Sequence, residues 1–164
     1  MIPNELTIAS GVIDALLADV AGYGERRLET GGFFMASTGQ NHVSGLALAG
    51  ESGILRQYNL FQISERALDR LFTYAVGSEL WLPAQYHSHI LGAQMSLTDA
   101  RHGLNVEGFT STILPTFGAP PREMAAWGWW IFTGGRWNDA GAAAASPGPA
   151  TAIVIFDEDG VRGR

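Results

Sequence analysis

The chain has 164 residues, of which 46% are hydrophobic and 16% charged, enough to build one globular domain with a sizeable core. Its net charge of -6 offers no basic field to a phosphate backbone, so nucleic acid is not an expected partner. The absence of cysteine excludes a disulfide framework, a thiol nucleophile and cysteine-ligated metal, and leaves histidine and carboxylate as the good metal ligands.

The first residues, Met1-Ile2-Pro3-Asn4-Glu5, lack the basic-then-apolar pattern of a signal peptide, and no apolar run is long enough to span a bilayer. The expectation is a cytoplasmic protein with no membrane partner. Residues 5–9 read as a short strand, and Ser10 as the N-cap of a helix carrying Val12, Ile13, Leu16, Leu17 and Val20 on one stripe. Gly22-Tyr23-Gly24 ends that helix. A turn then leads into Leu28-Glu29-Thr30-Gly31-Gly32-Phe33-Phe34-Met35, a carboxylate at the head of an apolar strand. The glycine pair either admits another backbone or a substrate chain, or marks a bulge.

Residues 42–49 read as the antiparallel neighbour of that strand across Thr38-Gly39-Gln40-Asn41, with a further strand over residues 55–63. His42, a single histidine beside a turn, is expected to face solvent. Ser64 caps a second helix whose apolar positions Ala67, Leu68, Leu71, Phe72, Ala75 and Val76 recur at helical spacing, a core stripe and not a ligand set.

The most informative stretch is Gln85-Tyr86-His87-Ser88-His89-Ile90-Leu91-Gly92-Ala93-Gln94-Met95-Ser96-Leu97-Thr98-Asp99. If residues 81–87 form a strand, His87 and His89 project to the same side. Two imidazoles on one face are half of a metal site, and a catalytic zinc needs a third protein ligand with the fourth position open. Asp99 is the candidate third ligand. Ser96-Leu97-Thr98-Asp99 has the Ser-x-x-acid form of a helix start, over residues 97–105, with Asp99 in the first turn. His102, three residues beyond Asp99, is a competing ligand, but one helical turn carries it about 4.5 Å further along the axis. Activated water needs a base that stands beside the metal without binding it, and Glu29 is the candidate.

Residues 109–114 read as a strand and residues 115–122 as a Pro- and Gly-rich loop on the rim. Trp127-Gly128-Trp129-Trp130-Ile131-Phe132 is a core strand turned at Gly134-Gly135, its tryptophans either packing or forming a platform for a peptide. Residues 138–150, poor in side-chain volume, read as a flexible linker between a domain of residues 1–137 and a C-terminal strand and tail of residues 151–164. Ala152-Ile153-Val154-Ile155-Phe156 either closes the sheet or pairs with another copy as a homodimer contact.

Glu-x-Gly-Gly, His-Ser-His and Ser-x-x-Asp, in that order, resemble the JAMM (JAB/MPN+) metalloprotease family, in particular its prokaryotic JAB branch. The resemblance follows the order of elements over residues 6–137 and is specific at Glu29 to Gly32 and His87 to Asp99. It implies an α/β MPN/JAB-like domain with a central mixed, curved β-sheet flanked by helices. It also implies Zn2+ on His87, His89 and Asp99, Glu29 as general base, and Ser96 holding the developing oxyanion. The implied activity is hydrolysis of the amide after the C-terminus of a ubiquitin-like protein, in deconjugation or precursor processing. Related alternatives are action on a sulfur-carrier protein adduct, or a non-catalytic module that binds a ubiquitin-like partner. Two features depart from the family pattern: Ile90 stands where members carry Pro, and six residues rather than seven separate His89 from Ser96. All ten basic residues are Arg, which reflects either a GC-rich coding bias or avoidance of lysine conjugation.

Overall fold

The structure, a computed structural model, describes residues 5–164. The expectation about Met1 to Asn4 therefore lies outside the described residues. β1 (Thr7–Ala9) leads directly into α1 (Ser10–Glu25), whose N-cap is Ala9, so Ser10 is the first helical residue and not the cap. Its hydroxyl instead donates to the carbonyl of Gly148 at 3.2 Å. β2 (Gly31–Ser37) and β3 (His42–Ala49) form the expected hairpin, with a bulge between Met35 and Ala36 that bends the pair.

The expected single strand over residues 55–63 is instead a small hairpin, β4 (Ile54–Arg56) and β5 (Phe61–Ile63), forming a sheet of its own. α2 (Glu65–Gly77) follows, with the Ser64 hydroxyl accepting from the Ala67 amide at 3.2 Å. The strand expected over residues 81–87 is interrupted at Leu82 and Pro83, giving β6 (Leu80–Trp81) and β7 (Ala84–Ser88). Pro cannot donate to a ladder, which is why it falls in the break. α3 (Leu97–His102), β8 (Thr110–Leu114), a single 3-10 turn at Met124–Ala126, β9 (Gly128–Thr133) and β10 (Arg136–Asp139) come next. β11 (Ala144–Ser146), β12 (Ala152–Asp157) and β13 (Gly160–Gly163) complete the chain.

The main sheet is mixed and runs in the order β10-β9-β8-β7-β2-β3-β1-β11. β3 shares one edge between two parallel partners, β1 at His42 and Val43 and β12 from Gly45 to Ala49. Period-2 alternation sends Phe34, Leu46 and Tyr86 toward α1, where they pack with Leu16, Val20, Trp127 and Trp129. Phe33, Met35 and Ala47 turn the other way and pack with Leu71 of α2 and with Phe156. The fold is thus an α/β domain with a central mixed sheet covered by helices on both faces.

The expected linker is corrected. Residues 144–146 pair in parallel with β1, and Ala143 is buried in the α1-side core. Small side chains here let the segment lie flat: Pro149 and Ala150 pass so close to Gly11 that a Cβ there would stand 2.5 Å from the Ala150 nitrogen. The C-terminal strand β12 has β3 on one edge and β13 on the other, both within the chain.

Candidate metal centre

β7 and α3 bring the three expected ligands together. β7 is interior, parallel to β8 and antiparallel to β2, and places His87 at its end. His89 follows one residue past the strand, its amide donating to the Leu114 carbonyl at 2.9 Å, so the extended alternation persists and both imidazoles share a face. Asp99 enters from the first turn of α3 through a capping box. Ser96 Oγ accepts from the Asp99 amide at 3.0 Å, and Asp99 Oδ2 accepts from the Ser96 amide at 3.2 Å.

His87 Nε2, His89 Nε2 and Asp99 Oδ2 form a triangle with sides of 3.1, 2.9 and 3.3 Å. A tetrahedral zinc with bonds of ~2.0–2.1 Å sets its ligand atoms ~3.3 Å apart, so the donor set fits that ion. The Gly92 backbone lies near His89 and favours its charged form, the kind of outer contact that steadies a ligating imidazole. Burial alone would raise Asp99, but the two histidines outweigh it and hold its carboxyl well below the usual range. Burial draws His89 down, yet Asp99, Glu29 and Gly92 together leave it raised.

The spacing of six residues between His89 and Ser96 still brings Asp99 to the histidines. The connecting loop is seated on neighbouring elements: Thr116 donates to Leu91 at 3.2 Å and Trp130 Nε1 donates to Ala93 at 3.3 Å. Gly128 lies directly beneath the Ala93 carbonyl, in space that a Cβ would fill.

Glu29 is 4% exposed, and its Oε2 has no hydrogen-bond partner among the described residues. Gly31 pairs with His87 and the Ser88 amide donates to Thr30, so the same register sets Glu29 opposite His89. Burial, with the Asp99 charge adding and the His89 charge opposing, pushes Glu29 up to about 7. Its position is fixed by residues the sequence did not single out. The Thr30 amide donates to Ser88 Oγ at 3.0 Å, and Arg56 Nε donates to Thr30 Oγ1 at 3.0 Å. Arg56 also donates to the Gly50 and Ala49 carbonyls and lies 4.0 Å from the Tyr23 ring centre.

The glycine pair admits protein neighbours and not a substrate chain, because β2 has β3 on one edge and β6 and β7 on the other. A Cβ on Gly31 would stand 2.5 Å from the Phe61 ring, and one on Gly32 would meet the Ala47 carbonyl and Tyr86. His102 stands outside the triad and lines the adjoining cleft, and His42 is exposed, bonded to Thr7 Oγ1 at 2.9 Å. Trp127 and Trp129 are buried and stacked, with centres 6.0 Å apart, which is packing and not a peptide platform.

No protein-family model matches the sequence, and no curated protein does. Solved structures do resemble the fold. A protein of Desulfitobacterium hafniense superposes with a TM-score of 0.65 at 12% identity, over 88% of this chain and 94% of the other. A protein from Salinibacter ruber gives 0.54 at 22% identity, over 85% and 91%. A JAB1/MPN domain protein from Archaeoglobus fulgidus gives 0.51 at 11% identity, over 85% and 97%. The fold is MPN-like.

Proposed function

We propose that this chain is a zinc-dependent isopeptidase or protease of the JAMM type, acting in the cytoplasm on the amide bond after the C-terminus of a ubiquitin-like protein. The observation that carries the proposal is the convergence of His87, His89 and Asp99 beside a buried carboxylate, Glu29, whose Oε2 has no hydrogen-bond partner among the described residues. Zinc held by those three residues would supply a Lewis acid and an activated nucleophile at neutral pH.

Glu29, shifted to about 7, exchanges a proton readily near neutrality, as a base that must take one and return it to a leaving amine requires. Ser96 Oγ uses a lone pair to cap α3, which leaves its own proton free to donate to a developing oxyanion. Loss of one such donor typically costs ~10²- to 10³-fold in turnover. An extended substrate is supported by the open edge of β5. Gln57 and Leu60 form a bonded pair in the hairpin, so Phe61 and Ile63 turn their backbone groups away from β4, on a strand that borders the cleft beside His87. An extended tail can add there as a further strand.

The ubiquitin-like substrate rests on the motif resemblance; the JAB1/MPN neighbour supports the fold that would carry the site. The experiment compares a lysine-linked adduct of a ubiquitin-like protein with a linear C-terminal extension, using zinc-loaded parent and Glu29→Gln. The expected result is cleavage by the parent and loss of about 10³-fold or more in the variant, with zinc content and partner binding retained. A parent that binds the partner and cuts neither substrate would sink the proposal in favour of a binding module.

A further inference from the structure

Two residues before His87, on the same face of β7, Gln85 stands beside its register partner Ser111 of β8. Both line a cavity of about 60 Å³ that reaches from His87 and Asp99 toward the C-terminal end of α3, between Ile63, Leu68 and Leu104. Ser111 is 5% exposed. Among the described residues, neither its hydroxyl nor the Gln85 carboxamide has a side-chain hydrogen-bond partner in the protein. Ser111 is buried and Gln85 half-buried, and both polar groups open onto the cavity beside the candidate reaction centre, where a ligand and not the protein can pair them.

We infer that Gln85 and Ser111 are the floor of a subsite for a short, neutral, hydrogen-bonding side chain, a hydroxyl or a carboxamide, on the residue next to the cleaved amide. The substrate clause rests on the proposed hydrolase; the binding clause does not. Each of the two floor groups can both donate and accept, which matches a partner that does the same. A carboxylate would find no Arg on the lining, where His87 and Asp99 belong to the metal centre and His102 is the other titratable group. A water needs ~10–15 Å³ of such space, so about four waters or the end of one side chain fit, and the polar floor sets the preference among side chains. A site built to bond such a group also rejects the apolar isostere, because the floor would then stay unpaired.

The test titrates metal-free protein with acetamide, following the Gln85 side-chain amide and the Ser111 backbone amide by NMR, with sodium acetate as the control. The expected result is saturable shifts with acetamide, none with acetate, and binding weakened at least about tenfold in Ser111→Val. In parallel, substrates bearing Asn or Leu beside the scissile bond are compared. Gln85→Leu is expected to lower the Asn-to-Leu ratio of kcat/KM at least about tenfold, with zinc content unchanged. Equal shifts with acetate, or no acetamide shift together with no Asn preference, would overturn the subsite. Acetamide binding without cleavage of any substrate would keep the subsite and sink the hydrolase.

Discussion

Burying the Glu29 carboxyl makes one residue a pH-dependent contribution to the stability of the metal-free chain. Its carboxyl is shifted up from 4.5 to about 7, mainly by burial. The native metal-free chain therefore holds a proton between those values that the unfolded chain has released, and stability falls as pH rises through that window. Glu29→Gln removes this dependence. The variant is expected to gain on the metal-free parent from pH 4.5 to 7 by at most about 3 kcal/mol, with a constant difference above pH 7. Urea unfolding of both proteins across that range checks it. A difference independent of pH would mean the carboxyl titrates normally. At this scale the convergence of the candidate ligands was legible because each signal is local: a period of two sets His87 beside His89, and one helical turn sets Asp99 against Ser96. Arg56, Thr30 and Ser88 were not legible, since their contacts bridge 26 and 58 residues and no spacing in the sequence announces them.

Among the elements, the loop between His89 and α3 is the one on which the site depends. Its shorter length does not carry Asp99 away, because β9 receives it: Trp130 holds the Ala93 carbonyl and Gly128 leaves room for it. Gly128→Ala is expected to push Ala93 outward and weaken zinc binding by about tenfold or more, as losses in the shell around metal ligands do. Trp130→Phe, which keeps the bulk and drops the bond, should act in the same direction and less strongly. Competition with a chromophoric chelator measures both, and unchanged affinity in Gly128→Ala would show that the loop seats itself. Strands that are continuous apolar runs, such as β2, β9 and β12, were legible in the sequence. The β4-β5 hairpin was not, because its turn at Gln57, Tyr58 and Asn59 carries no Gly or Pro to mark it.

For the whole molecule, the C-terminal segment is where sequence and structure part. Ala, Gly and Pro between residues 138 and 150 lack the volume that signals burial, yet that same lack lets the segment lie against α1 and β1. β12 then fills the rest of the β3 edge, and Phe156 packs on Phe33 with ring centres 5.9 Å apart. Asp157 anchors the end. Its carboxylate accepts from Arg162 and from the Glu51 and Asp159 amides, and Arg162 leads the causes that hold it well below the usual range. Its contribution to stability is therefore present above the ordinary carboxylate range and is lost as pH falls. Removing a buried Phe costs about 3–5 kcal/mol against a total stability of about 5–15. A chain ending at residue 150 loses Phe156, Val154 and the Asp157 anchor together, and is expected to be unfolded by circular dichroism. A cooperative melt of that truncation near the parent's Tm would mean the segment is an appendage after all.

The central claim is a metal centre on His87, His89 and Asp99, and zinc per folded chain tests it most directly. Protein prepared without chelator is analysed for metal beside Asp99→Ala. The structure predicts about one zinc in the parent and far less in the variant, with both chains folded. Its uptake should weaken as pH falls, since the raised His89 must release its proton to bind. A folded parent that takes up no zinc, even when zinc is supplied in excess at pH 8, would contradict the account.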